Sequence, residues 1–523
     1  IMPLDWNDPS WSRLWKFNLH YFDWAKYLIE EYIIDKEKIK NLNLVSNLID
    51  QWIKNNHIGK GDGWHSYTLS LRIKNWVLIF RLSPNFITKK RLDSLWVQIC
   101  WLNNNKESFL GGNHFIENLT ALIIGSMQFD SIEAKNIYKK SLTILRKELD
   151  TQILKDGGHE ERSASYHLLI LDRLVELGFH IQIIHQYKPD WLEKKIKLMT
   201  EWLTKIRLFN DLYPRFNDCS FDKNYNLNTV LNFSYSYLGY KYRKIIGFRK
   251  LLSESITKKK NLNIKYKDLN IFNKSVKSVD LPDTGWTILK PGKDWELLFK
   301  CGSVCPKHLP VHCHSDLLSF DLFNKGIPIF TEYGTSIYGN NRIRSIERST
   351  EAHNSFQLSF PIKKLLKKRI KWIEPIEVWD NFRAGRKAQI LKRESSGNSN
   401  SELWVVGSHD AYKRFGASHK RYLEVKIVEN DKLILIVEDF VKNKQMMAWR
   451  QFWHLGPKID QKYLKLILQQ LEDKYELKYL VKETWHSLDF GKRLPRKTLM
   501  VEGILLPGEH LFKVEIKLPQ MNT

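Results

Sequence analysis

The first half of the chain places its apolar residues three and four positions apart, the spacing that gives a helix one buried face. This pattern predicts helices over Phe17–Ile34, Ile39–Trp52, Leu69–Leu82, Lys90–Trp101, Phe115–Phe129 and Ala134–Leu149. It also predicts them over Tyr166–Gln182, Trp191–Leu208 and Leu227–Leu252. Short polar breaks such as Asn55–Gly63 and Lys155–Glu160 separate them, so neighbouring helices should pair as antiparallel hairpins. The stretch 253–280 is rich in Lys, Asn and Ser and reads as a linker. From Trp286 the texture changes to short strand-like runs: Trp286–Leu289, Trp295–Lys300, Leu317–Phe323, Asn354–Leu358, Trp372–Trp379, Leu403–Ser408, Tyr422–Val428, Lys432–Val437 and Gln451–Leu455. Many short strands in succession predict an antiparallel β-sandwich. The domain reading is 1–260 helical, 261–283 linker and 284–523 β.

Length agrees with this division, because 523 residues exceed one ordinary core. No apolar run reaches the ~18 residues of a membrane span. The opening IMPLDWNDPSWSRLW lacks a basic segment followed by an apolar one. The sequence as given is therefore expected in the cytoplasm, or in the periplasm if a signal segment has been removed. Five cysteines, an odd number, argue against a disulfide framework. Charge narrows the partners: Lys and Arg outnumber Asp and Glu by 83 to 58, a net +25. Such a field favours nucleic acid, an anionic membrane or an acidic polysaccharide. No nucleic-acid module signature is present, and 19 tryptophans and 21 tyrosines offer flat faces to sugar rings. The basic run Lys363–Lys371 reads as a solvated face.

Candidate chemistry concentrates in Leu309–Leu358. His312 and His314 flank Cys313, and in an extended segment both imidazoles would point to one side. Glu332 and His353 follow. Imidazole serves as a proton shuttle and as a metal ligand. Cys301 and Cys305, with three residues between them, are a weaker alternative for zinc, because no second pair follows. In the helical half, Gly111-Gly112-Asn113-His114 opens a helix, with Asn113 suited to capping it and Glu117 one turn on. Asp156–Leu169 (DGGHEERSASYHLL) opens another at Tyr166. Gly61–Trp76 gathers Trp64, His65, Tyr67, Arg72 and Asn75. These groups suit β-elimination from a uronate. That reaction needs an amide or cation to neutralise the carboxylate, a base for the C5 proton and an acid for the departing O4. Asn113, His114, Tyr166 and His312 are the right types. A tyrosine base needs a lowered pKa, which a cation such as Arg162 could supply.

The motifs Leu14–Ala25 (LWKFNLHYFDWA), Ser70–Trp76, Asn113–Leu122, Asp156–His167, His312–Phe320, Gly326–Thr335 and Glu351–Phe356 together resemble the heparinase II/III-like polysaccharide lyases. This family also includes alginate and oligoalginate lyases. The N-terminal motifs look most like members encoded in bacterial capsule or O-antigen clusters. The resemblance implies an incomplete (α/α) toroid followed by an antiparallel β-sandwich, with the active site in the groove between them. It implies Asn113 as the carboxylate neutraliser and Tyr166 as base, acid or both. His114 and His312 would assist proton transfer and carboxylate binding. It further implies a structural zinc on His314, Glu332 and His353, with Glu332 standing where Asp is more usual, and no organic cofactor. Trp64, His65, Tyr67, Arg72, Glu117 and Arg162 are expected to contact the substrate, a uronate-containing acidic polysaccharide. The leading expectation is a lyase. A uronyl C5-epimerase shares the first proton transfer and is the alternative, and a non-catalytic polysaccharide-binding or assembly protein is the second.

Overall fold

Helices fill the N-terminal half of the computed structural model, which describes residues 4–220, 225–260, 277–306, 308–362, 370–380, 382–397 and 402–521. They are α1 (Arg13–Tyr21), α2 (Asp23–Ile34), α3 (Ile39–Asn55), α4 (Ser66–Leu82), α5 (Lys89–Asn104), α6 (Gly112–Ser126), α7 (Ile132–Gln152), α8 (Ala164–His185), α9 (Asp190–Lys205), α10 (Leu227–Leu238) and α11 (Gly247–Lys260). Two predicted helices are each two. Phe17–Ile34 breaks at Phe22, which adopts φ 62° and ψ 20° between α1 and α2. That conformation is costly for a bulky residue. Packing offsets the cost: the Phe22 ring is wholly buried against Trp6, Trp24 and Trp76. Leu227–Leu252 separates into α10 and α11.

The described residues form two compact units. The first comprises 1–153, 169–200 and 229–269; the second comprises 154–168, 201–228 and 270–523. The centre of the first unit is α4 and α6, whose side chains are buried almost all round. Several buried charges of this unit are paired. Glu117 lies between Lys74 and Arg173, and Arg249 grips Asp172 at 2.6 Å and 3.2 Å. A buried ion pair is tolerated only when its desolvation is offset this way.

The second unit is built on antiparallel strands: β1 (Ser278–Leu281), β2 (Trp286–Leu289), β3 (Trp295–Lys300), β4 (Phe320–Asn324) and β5 (Ile327–Phe330). A short helix α12 (Arg342–Arg348) precedes β6 (Phe356–Leu358), β7 (Ile376–Val378), β8 (Ala384–Lys387), β9 (Ile390–Ser395), β10 (Leu403–His409), β11 (Ala417–Val428), β12 (Lys432–Asn443) and β13 (Met447–His454). Helix α13 (Lys462–Glu472) and strands β14 (Leu477–Asp489), β15 (Lys492–Leu505) and β16 (Gly508–Leu518) complete it. Sheets run β1-β2-β3-β4-β5, β16-β12-β11-β10-β9 and β14-β15-β13-β6, with β7 and β8 as a separate hairpin. The three larger sheets share one core that includes Phe299, Phe320, Leu423, Val437, Trp449 and Trp453. The fold class read from the pattern, helices followed by antiparallel sheet, is the class observed. Ser278–Leu281, inside the expected linker, is paired with β2; residues 261–276 of that linker and 363–369 of the basic run lie outside the described residues.

Candidate functional site

The polar centre of the second unit is Asp218, in the irregular stretch between α9 and α10. Asn217 before it has φ 63°, a conformation Asn adopts more readily than most residues. Its side chain donates to the carbonyls of Arg162 and Val304 at 3.0 Å and 3.1 Å, fixing the turn. Asp218 is then surrounded by donors. Arg344, on α12, grips both carboxylate oxygens. His312 Nδ1 lies 2.9 Å from Oδ2 and His314 Nε2 lies 2.9 Å from Oδ1. Burial alone would raise the Asp218 pKa. The Arg344 charge and the two histidine hydrogen bonds outweigh it and hold the carboxyl well below its ordinary range. An ionised Asp218 accepts from His312 Nδ1, so that nitrogen carries a proton. Glu161 Oε2 lies 3.5 Å from His312 Nε2.

Tyr166, in the first turn of α8, stacks on the His312 ring with centroids 4.0 Å apart. Its hydroxyl is 3.0 Å from that of Tyr338. The sequence reading expected a lowered Tyr166 pKa, and the opposite holds. Burial raises it well above 10.0, and the neighbouring Tyr338 and Asp218 raise it further. The Arg162 guanidinium is not among the groups acting on it; it donates to the carbonyls of Glu160 and Asp283 at 2.8 Å and 3.2 Å. Tyr166 therefore rests as a neutral phenol.

The HCH tripeptide lies in a loop before β4 rather than in a strand. Both imidazoles nonetheless face Asp218, while buried Cys313 directs its thiol to the Pro310 carbonyl at 3.3 Å. On the far side of His314 a second cluster forms with Glu332 and His353. One donor atom from each lies within 4.8 Å of the others, and all three residues are buried. His314 Nδ1, both Glu332 oxygens and both His353 nitrogens have no hydrogen-bond partner. His353 Nδ1 is 2.9 Å from Glu332 Oε2, close but without hydrogen-bond geometry. Buried donor atoms without partners are costly, and two imidazoles with one carboxylate are a common set of protein ligands for zinc. The residues fit a metal ion, and the longer Glu332 side chain reaches the cluster. Cys301 takes no part; it is buried in the β core.

In the first unit, Asn113 is the second residue of α6. Gly111 occupies the cap position with no side-chain cap, so the capping role expected of Asn113 is absent. His114 stacks on Tyr67 at 4.1 Å. Its Nδ1 is 3.1 Å from Glu107 Oε1, and Glu107 is fixed in turn by Asn118. Burial would raise the Glu107 pKa, but the hydrogen bond and charge of His114 bring it below the ordinary value. His65 approaches the same carboxylate at 3.9 Å. His65 and Tyr67 thus stay beside the predicted His114, whereas three other expected substrate contacts are interior. Trp64 packs on Trp52 and Trp101 and donates to the Asn56 carbonyl. Arg72, wholly buried, lies over Trp52 at 3.7 Å and donates to Gln98. Glu117 is consumed by Lys74 and Arg173. Burial takes these three away from any substrate.

The sequence matches the model of the heparinase II/III N-terminus over residues 3–239 and that of the heparinase II/III-like C-terminal region over 273–493. The chain belongs to the heparinase II/III-like family. Among solved structures it is similar to a heparan sulfate lyase HepC mutant from Pedobacter heparinus, at 18% identity over 100% of this chain and 80% of that one, with a TM-score of 0.64. It is also similar to a Heparinase III at 17% identity, covering 99% of this chain and 80% of that one, with a TM-score of 0.69. No curated protein matches.

Within this heparinase II/III-like chain, Tyr166 and His312 are brought together, as are His314, Glu332 and His353. Asn113 and His114 belong to the first unit. Sequence reasoning missed Asp218, Tyr338, Arg344 and Glu107. Asp218 had a signal: RFNDCS (Arg215–Ser220) puts charged and amide side chains in a break between two apolar-periodic runs. Such a polar cluster is either surface loop or site. Tyr338 and Arg344 had none that sets them apart.

Proposed function

We propose that the protein is a polysaccharide lyase that cleaves a uronate-containing acidic polysaccharide by β-elimination. The observation that carries this reading is the cluster in which half-buried Tyr166, hydrogen-bonded to Tyr338, stacks on a His312 whose Nδ1 is fixed by ionised Asp218. Family membership supports it, as do the similar solved structures described as a heparan sulfate lyase and a heparinase.

In the proposed reaction the C5 proton passes to His312 Nε2 and the electron pair of the C5–H bond forms the C4–C5 double bond. The C4–O4 bond breaks, and the neutral phenol of Tyr166 gives its proton to O4. The Tyr338 hydroxyl offers a route by which that proton is replaced. Asp218 keeps His312 in the tautomer that leaves Nε2 free to accept, and stabilises the imidazolium that follows. Asn113 neutralises the uronate carboxylate, the contribution that grows as charge builds on C5. His114, oriented by Glu107, assists there.

His314, Glu332 and His353 would hold a zinc ion, which when bound supplies a fixed positive centre that pins the His312–His314 loop. His314 would offer its partnerless Nδ1 to such an ion while its Nε2 stays on Asp218, the carboxylate–histidine pairing common around metals. The residues thereby connect the metal cluster to the orientation of His312. Incubation with a panel of uronate polymers tests the function. A 4,5-unsaturated uronate with shortened chains is the expected product. Deuterium entering C5 from heavy water at unchanged chain length would instead mark an epimerase, and no change on any polymer would remove both.

A further inference from the structure

Beside the Tyr166–His312 cluster the hairpin β7–β8 carries two aromatic side chains that the proposed reaction does not use. Trp379 is 64% exposed and Phe382 is 38% exposed. The turn bearing them is built tightly. Asp380 Oδ1 accepts from the backbone N–H groups of Phe382 and Arg383 at 3.3 Å and 3.0 Å, and Trp379 N–H donates to the Arg383 carbonyl at 3.1 Å. Phe382 makes edge-type contacts with the rings of His312 and Tyr338, at centroid distances of 6.0 Å and 5.4 Å. The indole of Trp379 packs closely on Gly385 of β8: a Cβ there would come within 2.6 Å of its Cε2. A glycine inside a strand weakens it unless something must approach the backbone closely, and here the indole does so. One exposed tryptophan is ordinary. One seated on a strand glycine, beside a cleft that reaches a site residue, is a built surface.

That cleft is lined by Trp379, Asp380, Gly339, Asn340, Ser345 and Arg344. Arg344 is committed to Asp218, and Arg348 behind it donates to the carbonyls of Cys313 and Asp380. The cleft thus offers an aromatic side chain, an amide and hydroxyls, with its guanidiniums already engaged and its two carboxylates, Asp380 and Glu374, accepting from Arg383 and from Thr350 and Gln357. This chemistry suits the apolar face and hydroxyls of a sugar ring better than an isolated anion. We infer that Trp379, seated on Gly385, is a stacking platform for a sugar residue of the polymer flanking the one that reacts. The inference rests on the lyase reading and names a specificity-determining residue for it.

The test uses full-length protein and the polymer of the uronate panel that the wild type shortens. Trp379→Ala should raise KM about tenfold, the scale of one lost aromatic contact, and change kcat less than about threefold. Trp379→Phe should recover most of the loss, and Gly385→Ala, which displaces the indole, should resemble Trp379→Ala. In a Tyr166→Phe background, in which turnover is expected to fall by more than about 10²-fold, calorimetric binding of oligosaccharides cut from that polymer should weaken by a similar factor with Trp379→Ala. Wild-type KM and binding in a natively folded Trp379→Ala protein would overturn the platform while leaving the lyase reading intact. A loss in kcat alone would likewise overturn it. Failure of the wild type to bind or shorten any uronate polymer would overturn the lyase reading and the platform with it.

Discussion

Asp218 shows at the residue scale how a site can be half visible in a sequence. The residues to which the proposal assigns chemistry stood in motifs, so Tyr166, His312 and the cluster of His314, Glu332 and His353 could be singled out from the sequence. The carboxylate that orders them was not, because Asp218 is joined to His312 and Arg344 only by the fold, 94 and 126 residues away. Glu117 and Arg72 fail for the converse reason: a charged residue in a helical motif looks the same whether it faces a cleft or a buried partner. Asp218→Asn should lower kcat/KM by at least about 10²-fold, because an amide no longer enforces the His312 tautomer. Steady-state kinetics with circular dichroism checks it. Asp218 also fixes a pH dependence. Its folded pKa lies well below the unfolded value near 3.8, so the folded protein binds fewer protons than the unfolded chain. Its stabilisation is full above about pH 5 and is lost as pH falls through 3.8 toward the folded value. Denaturant titrations between about pH 6 and about pH 3 should show a shallower loss for Asp218→Asn than for wild type.

Elements whose buried face is regular were legible, and elements set by tertiary packing were not. Helices α3 to α9 follow their apolar spacing closely. The break at Phe22 was hidden because the residue is apolar and in phase, and three tryptophans hold it in the left-handed conformation. Strand β14 is exposed along most of its N-terminal part and shows no alternation to read. Strand β16 does alternate, and helix α13 has a clear apolar face, so both carried signals that the strand pattern ending at Leu455 omitted. The loop bearing His312 and His314 is the element on which the metal proposal depends. Metal analysis of purified protein should find about one zinc per chain, with bonds of about 2.0–2.2 Å. His353→Ala should lose it and lower the melting temperature. Equal metal content in wild type and His353→Ala would rule out these ligands.

For the whole molecule, the switch from helical to alternating periodicity near residue 280 was enough to read the fold class. The charge of +25 makes a claim at the same scale. If it captures a polyanion, kcat/KM on an acidic polymer should fall as ionic strength rises toward about 0.15 M, where the screening length shrinks to about 8 Å. Activity indifferent to salt would assign the charge to composition alone. The central claim is that the Tyr166 phenol moves a proton in a β-elimination, and one substitution addresses it directly. Tyr166→Phe removes the hydroxyl and keeps the ring that stacks on His312. On a polymer that the wild type shortens, the rate of unsaturated-uronate formation, read by its ultraviolet absorbance, should fall by more than about 10²-fold in a folded Tyr166→Phe protein. A Tyr166→Phe enzyme that forms unsaturated uronate as fast as the wild type would contradict the assignment.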